Sequence, residues 1–202
     1  MKASSWRVGV LFSETGVTAA VEKTQRAGTM LAIEEINARG GTDGRPIEPV
    51  FYDPGSEPKR YGAFAERLCD HDHVSVIFGC HMSSTRKAAL PVIEARGALL
   101  FYPTLYEGFE YSRHCIYTGA APNQNSVQLA KYINNNYGNK ILLVGSNYVY
   151  PYESNRIMAD LFHQLSGKIL DEIYVPLNTS KKGFDPVLRR IAATKPDAIY
   201  ST

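Results

Sequence analysis

The densest cluster of chemistry-bearing side chains is Gly79-Cys80-His81-Met82-Ser83-Ser84-Thr85, which sets a thiol, an imidazole and hydroxyls between an apolar run and an amphipathic one. Two kinds of chemistry fit. Cys80 would attack an amide carbonyl with His81, His114 or His163 as its base. Alternatively, Ser83 or Ser84 caps the following helix, and first-turn N–H groups and hydroxyls donate to a carbonyl or carboxylate oxygen of a solute. The serines also serve as caps and nothing more in the plainest reading, although capping and binding coexist because one hydroxyl takes only one of four free N–H groups. The covalent route needs a strained turn with small residues on both sides of the nucleophile. Gly79 supplies one side and Met82 obstructs the other, so binding without bond making is the better expectation.

Three more clusters end apolar runs. Ser13-Glu14-Thr15-Gly16-Val17-Thr18 is a polar loop that either presents hydroxyls and N–H groups to a ligand or simply turns the chain. Phe101-Tyr102-Pro103-Thr104-Leu105-Tyr106 and Gly145-Ser146-Asn147-Tyr148-Val149-Tyr150-Pro151-Tyr152 bring aromatic rings with polar tips, which exclude water and orient a small ligand. Cys69-Asp70-His71-Asp72-His73 has metal-ligating residue types but no second cluster at a distance, so it reads as a solvated helix end. There is no G-x-S-x-G, no G-x-G-x-x-G after a strand and no Walker A sequence, and Gly40-Gly41-Thr42-Asp43-Gly44 follows a helix and is a turn. No metal or cofactor is expected.

The elements that must position these clusters alternate. Apolar runs predict strands at Arg7–Phe12, Ile47–Asp53, Val74–Gly79, Ala98–Tyr102, Lys140–Ser146, Lys168–Val175 and Ala198–Ser201. Amphipathic stretches predict helices at Lys23–Ala38, Pro58–Asp70, Ser84–Ala95, Asn125–Tyr137, Glu153–Gln164 and Pro186–Thr194, with Gly40, Gly97, Gly138 and Gly167 suited to left-handed stops. This rhythm is that of α/β units wound on both faces of parallel sheets, which bind ligands beyond the carboxyl ends of their strands. The irregular stretch from Pro103 to Asn125 suggests a crossing between two lobes, 1–119 and 120–202. Ala198–Ser201 reads as a buried strand with nothing after it to cover it, so a truncated second lobe is expected.

A formal net charge of +2, spread without any long basic run, gives no footprint for direct nucleic-acid or membrane binding. A composition 44% hydrophobic and 21% charged suits a soluble globular chain, and no apolar run approaches membrane-spanning length. Three widely spaced cysteines argue for a reducing compartment, and Met1–Ser5 lacks a secretory leader pattern. A cytoplasmic protein is therefore expected, or a periplasmic one or lipoprotein if a signal peptide was removed.

Four segments carry a family resemblance: Gly9–Gly16, Gly79–Lys87, Tyr106–Tyr111 and Pro122–Ser126. They resemble the amide-binding negative regulators of aliphatic amidase operons (the AmiC type), within the type I periplasmic-binding-protein-like family. The likeness extends to receptors for urea, short amides and branched-chain amino acids, and YEGFEYS and GSNYVYPYESN favour the amide and urea branch. It implies a two-lobed α/β fold that closes on a small amide or urea-like solute and thereby changes its hold on an RNA-binding antiterminator protein. Ser83 with its neighbouring N–H groups, beside Ser84, then looks like the ligand-oxygen site, Tyr102 and Thr104 like the first lobe's floor, and Tyr148 and Tyr150 like the second lobe's wall. Two departures stand out: His81 replaces a tyrosine, and Leu105 replaces a proline after the Tyr-x-Thr stretch. The resulting expectation is a non-enzymatic amide sensor, with homo-oligomer formation left open. The alternatives are an extracytoplasmic solute-binding component of an ABC transporter and, third, the Cys80 amidase.

Overall fold

A computed structural model describes residues 5–202, so the reading of Met1–Ser5 as lacking a secretory leader pattern lies, except at Ser5, outside the described residues. The apolar runs form β1 (Trp6–Leu11), β2 (Ile47–Phe51), β3 (Val76–Gly79), β4 (Leu99–Tyr102), β5 (Cys115–Tyr117), β6 (Lys140–Ser146), β7 (Lys168–Val175) and β8 (Ala198–Ser201). The helices are α1 (Ala19–Ala38), α2 (Pro58–Asp70), α3 (Ser83–Ala95), α4 (Pro122–Asn136), α5 (Val149–Gln164) and α6 (Asp185–Thr194). The chain packs as two compact units, one of residues 1–105 and 110–119 and the other of residues 106–109 and 120–202.

In the first unit the strands lie in the order β2-β1-β3-β4-β5, all parallel. Helices α2 and α3 bury one face, where Leu11, Tyr61, Leu68, Ile77, Ile93 and Leu100 are fully enclosed. The alternate residues Val8, Val10 and Phe12 point the other way and pack with Ile33 of α1, as the period-two geometry of a strand requires. Phe78 and Phe101 stack on that side at 5.1 Å, and a trough of about 520 Å³ runs between Phe78 and α1. At the end of β3 a Cβ on Gly79 would lie 2.5 Å from the Leu11 carbonyl oxygen, so only glycine lets β3 run this close to β1.

The second unit has the order β7-β6-β8, again parallel. Phe162, Met158 and Ile133 from α4 and α5 cover Ile141 and Leu143, while Val187 of α6 packs against Leu142, Val144 and Val175 on the other face.

The sequence-based reading differs from the structure in several places. Strand β5 was hidden inside the turn-rich stretch because its three residues become a strand only by pairing with β4, Cys115 opposite Leu100. Helix α4 starts at Pro122 instead of Asn125, since proline suits the first helical position and Gln124 Oε1 accepts the Ala121 N–H at 2.8 Å. Gly40, Gly97 and Gly138 do adopt positive φ after their helices, but after α5 the left-handed residue is Ser166 (φ 58°) and not Gly167. Gly167 is needed for space: a Cβ there would lie 2.7 Å from the Phe162 ring. Strand β8 is half exposed, with Ile199 and Ser201 open to solvent, because it occupies a sheet edge.

Candidate functional site

A strand order that reverses direction beside β1 opens a crevice between the carboxyl ends of β1 and β3, since their following connections leave toward opposite sides. On the β1 side the polar groups are spent inside the protein. The Glu22 carboxylate is completely buried and accepts from the Ser13 N–H at 2.8 Å, the Tyr61 hydroxyl at 2.5 Å and the Thr18 hydroxyl at 2.5 Å. Ser13 Oγ in turn accepts the Ser56 N–H at 2.7 Å, and Ser56 Oγ lies 2.6 Å from Thr18 Oγ1. The Thr15 hydroxyl donates to Asp53 at 2.8 Å. Burial acts to raise the Asp53 pKa, but the Thr15 hydroxyl and the N–H groups of Gly55 and Thr15 outweigh it and hold the carboxyl below its usual range. The loop from Ser13 to Thr18 is therefore a rigid rim whose hydroxyls are engaged internally.

The other side of the crevice is built by the ends of β3 and β4. Cys80 takes φ 65° and donates its N–H to Leu11 O at 3.0 Å, which turns the chain toward α3. Its side chain is wholly buried, and that burial, with Glu22 and Cys115 adding to it, holds the thiol proton on far above the ordinary range. No thiolate is on offer, and the nucleophile reading of Cys80 is ruled out. Beyond it, Tyr102 donates its hydroxyl to the His81 carbonyl at 2.7 Å, and Thr104 Oγ1 stands 3.3 Å from His81 Nδ1 and 3.2 Å from Gln25 Nε2. Burial keeps the His81 imidazole below its ordinary pKa, with Glu22 pulling the other way.

Ser83 and Ser84 are not caps. The N-cap is Met82, with extended backbone (φ −74°, ψ 148°) and a carbonyl that accepts the N–H groups of Thr85 and Arg86, so both serines are already helical. Ser83 is buried and Ser84 half-buried, in the first turn where helix N–H groups lack intrahelical acceptors. The structure thus joins His81, Tyr102 and Thr104 by hydrogen bonds and sets the two serines just beyond them. Tyr102 is buried, its ring lying 4.7 Å from the guanidinium of the fully buried Arg86, and it acts on the site through His81. Arg86 pairs with Glu110 at 2.6 Å, which also takes the Tyr117 hydroxyl at 2.8 Å and Lys87 at 2.9 Å.

In the second unit the chain crosses from β7 to β8 past β6, so the end of β6 is the corresponding position. Tyr148 is the N-cap of α5, and Tyr150 sits in its first turn. Burial raises both phenol pKa values, each helped by a neighbouring tyrosine and by Glu107, which is itself buried. Ser154 Oγ and Tyr200 OH are 2.6 Å apart, and Tyr152 stacks on Tyr174 at 3.9 Å. Sequence reading singled out none of Glu22, Gln25 and Glu107 as site residues: Glu22 joins the Ser13–Thr18 loop to Tyr61, 39 positions on, Gln25 meets Thr104 79 positions on, and no local pattern marks such meetings.

Among the described residues no group of three or more His, Cys, Asp or Glu side chains is placed to hold a metal ion. The Cys69–His73 stretch ends α2, and its Asp72 is taken up by the Tyr52 hydroxyl at 2.7 Å and Arg7 at 3.5 Å. Among those residues, too, no helix is long and apolar enough to cross a membrane.

Residues 6–202 match the family model described as periplasmic binding protein domain. The chain belongs to that family. A leucine-, isoleucine-, valine-, threonine- and alanine-binding protein of Pseudomonas aeruginosa is 34% identical over 104 residues, 52% of this chain and 28% of that protein. A Leu/Ile/Val-binding protein of Rhizobium johnstonii is 25% identical over 96% of this chain and 53% of its own length. Among solved structures, the branched-chain amino acid transporter substrate-binding protein of Streptococcus pneumoniae in complex with isoleucine superposes with a TM-score of 0.89 at 23% identity, over 98% of this chain and 57% of that one. A solute-binding protein of an ABC transporter from Rhodopseudomonas palustris, in complex with 3,4-dihydroxybenzoic acid, gives 0.86 at 25% identity, over 98% and 54%. The periplasmic binding protein domain thus spans at most a little over half the length of these relatives. Its fold is the α/β type I fold with parallel sheets expected from the sequence, and the family binds solutes without catalysis.

Proposed function

We propose that the protein is the solute-binding component of an ABC transporter, taking a small amino-acid-like solute of the branched-chain class. The observation that carries this reading is the crevice at the end of β3 and β4, where Thr104, His81 and the first turn of α3 place hydroxyl, imidazole and main-chain groups together without a usable nucleophile. Such a set recognises an ammonium and a carboxylate, the two polar ends of an amino acid. The relatives named for leucine, isoleucine and valine, and the isoleucine complex of a structural neighbour, support the same class. Periplasmic location follows from this reading. The free cysteines do not oppose it, because Cys80 and Cys115 are buried and burial pushes the Cys115 thiol up to about 11.

The cytoplasmic amide sensor with an antiterminator partner draws its support from the motif resemblance alone, so it enters as the rival outcome of one experiment. Titration calorimetry with leucine, isoleucine, valine, acetamide and urea is expected to give saturable heat with the branched-chain amino acids. Heat from acetamide or urea only would transfer the protein to the amide branch, and silence with all five would defeat both readings.

A further inference from the structure

In the second unit, Ser126, Ala130 and Ile133 turn one side of α4 into the core. Gln128, Asn135 and Asn136, each three or four residues from Tyr132, therefore share an exposed stripe with it. The helix stops at Tyr137, whose N–H donates to Ile133 O at 2.9 Å, as does that of Gly138 at 3.3 Å. Gly138 takes φ 131°, and a Cβ on it would lie 2.5 Å from Asp197 Oδ2, so glycine is required in the turn that carries Tyr137. The rings of Tyr132 and Tyr137 meet edge to face, 5.9 Å apart at 67°, and Asn136 Nδ2 donates to Tyr132 O at 2.7 Å. Tyr132 is 55% exposed and Tyr137 60%, so core burial does not hold either ring in place.

From Tyr132 to Asn139 the chain holds no charged residue, although 21% of the whole chain is charged. The hydrogen bond with Tyr132 raises the Tyr137 pKa, which keeps that phenol neutral. The outward groups are thus hydroxyls and amides, each able to donate and to accept, set around two ring faces of negative potential. An anionic partner would need a cation within the stripe, and Lys131 and Lys140 stand only at its ends. A cationic partner would need a carboxylate, and Asp197 already accepts the Lys140 N–H at 2.9 Å. An apolar protein surface would leave the amides without partners. The remaining complement is an uncharged molecule that offers hydroxyls to the amides and polarised C–H groups to the rings, which is a sugar.

We infer that this face of α4 binds an uncharged glycan chain, with Tyr132 and Tyr137 packing on sugar rings and Gln128, Asn135 and Asn136 hydrogen-bonding to their hydroxyls. The fixed turn and the contact between the rings hold them ready before the glycan arrives, which lowers the ordering cost of binding. The face precedes the amino end of β6, whereas Tyr148 and Tyr150 follow its carboxyl end. Glycan and solute therefore bind independently, and the inference does not depend on which solute the protein takes.

Maltoheptaose and cellohexaose are the neutral probes and a heparin hexasaccharide is the sulfated control, each titrated into isotope-labelled protein and followed by NMR. At least one neutral probe is expected to shift the ring signals of Tyr132 and Tyr137 saturably, and heparin to leave them in place. Tyr132→Ala and Tyr137→Ala should each weaken that binding by about tenfold, whereas Tyr137→Phe, which keeps the ring, should weaken it by less than about threefold. Circular dichroism of the alanine variants should match that of the unaltered protein. If either variant loses structure, the paired change Gln128→Ala and Asn135→Ala gives the same test through the amides. Silence with both neutral glycans overturns the inference, as does binding of heparin alone or neutral-glycan affinity untouched by every one of these changes. Sedimentation supplies the rival outcome: a dimer that dissociates in Tyr132→Ala would make this face a contact between copies of the chain and overturn the glycan assignment.

Discussion

The strand ends of the two units solve the same problem with different chemistry. In the first, buried charge organises the loops: Glu22 gathers two hydroxyls and an N–H, and the Arg86–Glu110 pair ties α3 to the segment before β5. In the second, phenols do the work, with Tyr150 and Tyr200 beside Ser154, Tyr148 next to Tyr150, and all three raised in pKa by burial. Charge networks fix direction, because every partner must point its donor at the carboxylate. Packed phenols fix shape and leave single hydroxyls to orient polar contacts. The contrast teaches that strand ends of like topology are ordered by directed hydrogen bonds in the first unit and by packed ring surface in the second.

The largest effect that would break this contrast is removal of the buried guanidinium. Arg86→Ala removes the fully buried partner of Glu110 and should cost about 3 kcal/mol, the low end for buried pairs that lose one partner, since Lys87 still pairs with that carboxylate. The single tryptophan, Trp6, belongs to the first unit, so urea unfolding followed by its fluorescence measures that loss directly. A shift of under about 1 kcal/mol would show the pair to be dispensable. Next comes Glu22→Gln, which turns an N–H₂ toward groups that are already donors and should cost about 1–3 kcal/mol. The Trp6 transition again reports it.

A pH scan sharpens the comparison further. Burial acts to raise the Glu110 pKa, yet Lys87, Arg86 and Tyr117 outweigh it and leave it depressed. Its folded value lies below the unfolded one, so its stabilisation is complete above the ordinary carboxylate range near pH ~4 and is lost as pH falls through the folded value. Glu110→Gln should flatten that acid limb. The phenols of the second unit act on the opposite side: their folded pKa values are raised, so stability is full below about pH 10 and is lost as the solution becomes more alkaline. The smallest effect is expected from Tyr200→Phe, which deletes the 2.6 Å contact with Ser154 and should cost about 0.5–1.5 kcal/mol while blunting the alkaline limb. Circular dichroism melts at pH 8 and pH 10.5 would check both. An equal loss at both pH values would mean that the phenol's burial is not linked to folding.

What could be read from sequence here was whatever depends on short-range pattern. Apolar runs such as Ile141–Val144 and the helix signals at Pro58 and Gly97 define their elements locally, because periodicity, proline and glycine act within a few residues. The glycine before Cys80 and the tyrosines after β6 are marked in the same way, by their place at the ends of apolar runs. Other features were decided by tertiary structure alone. β5 exists because β4 offers it a ladder, Cys80 is inert because α2, α3 and Glu22 enclose it, and the Ser83 region begins the helix one residue earlier than its serines suggest. Gln25 reaches Thr104 across 79 positions of chain. Hydrogen-bond direction, desolvation and pKa depend on which atoms meet in space, and no local spacing encodes those meetings.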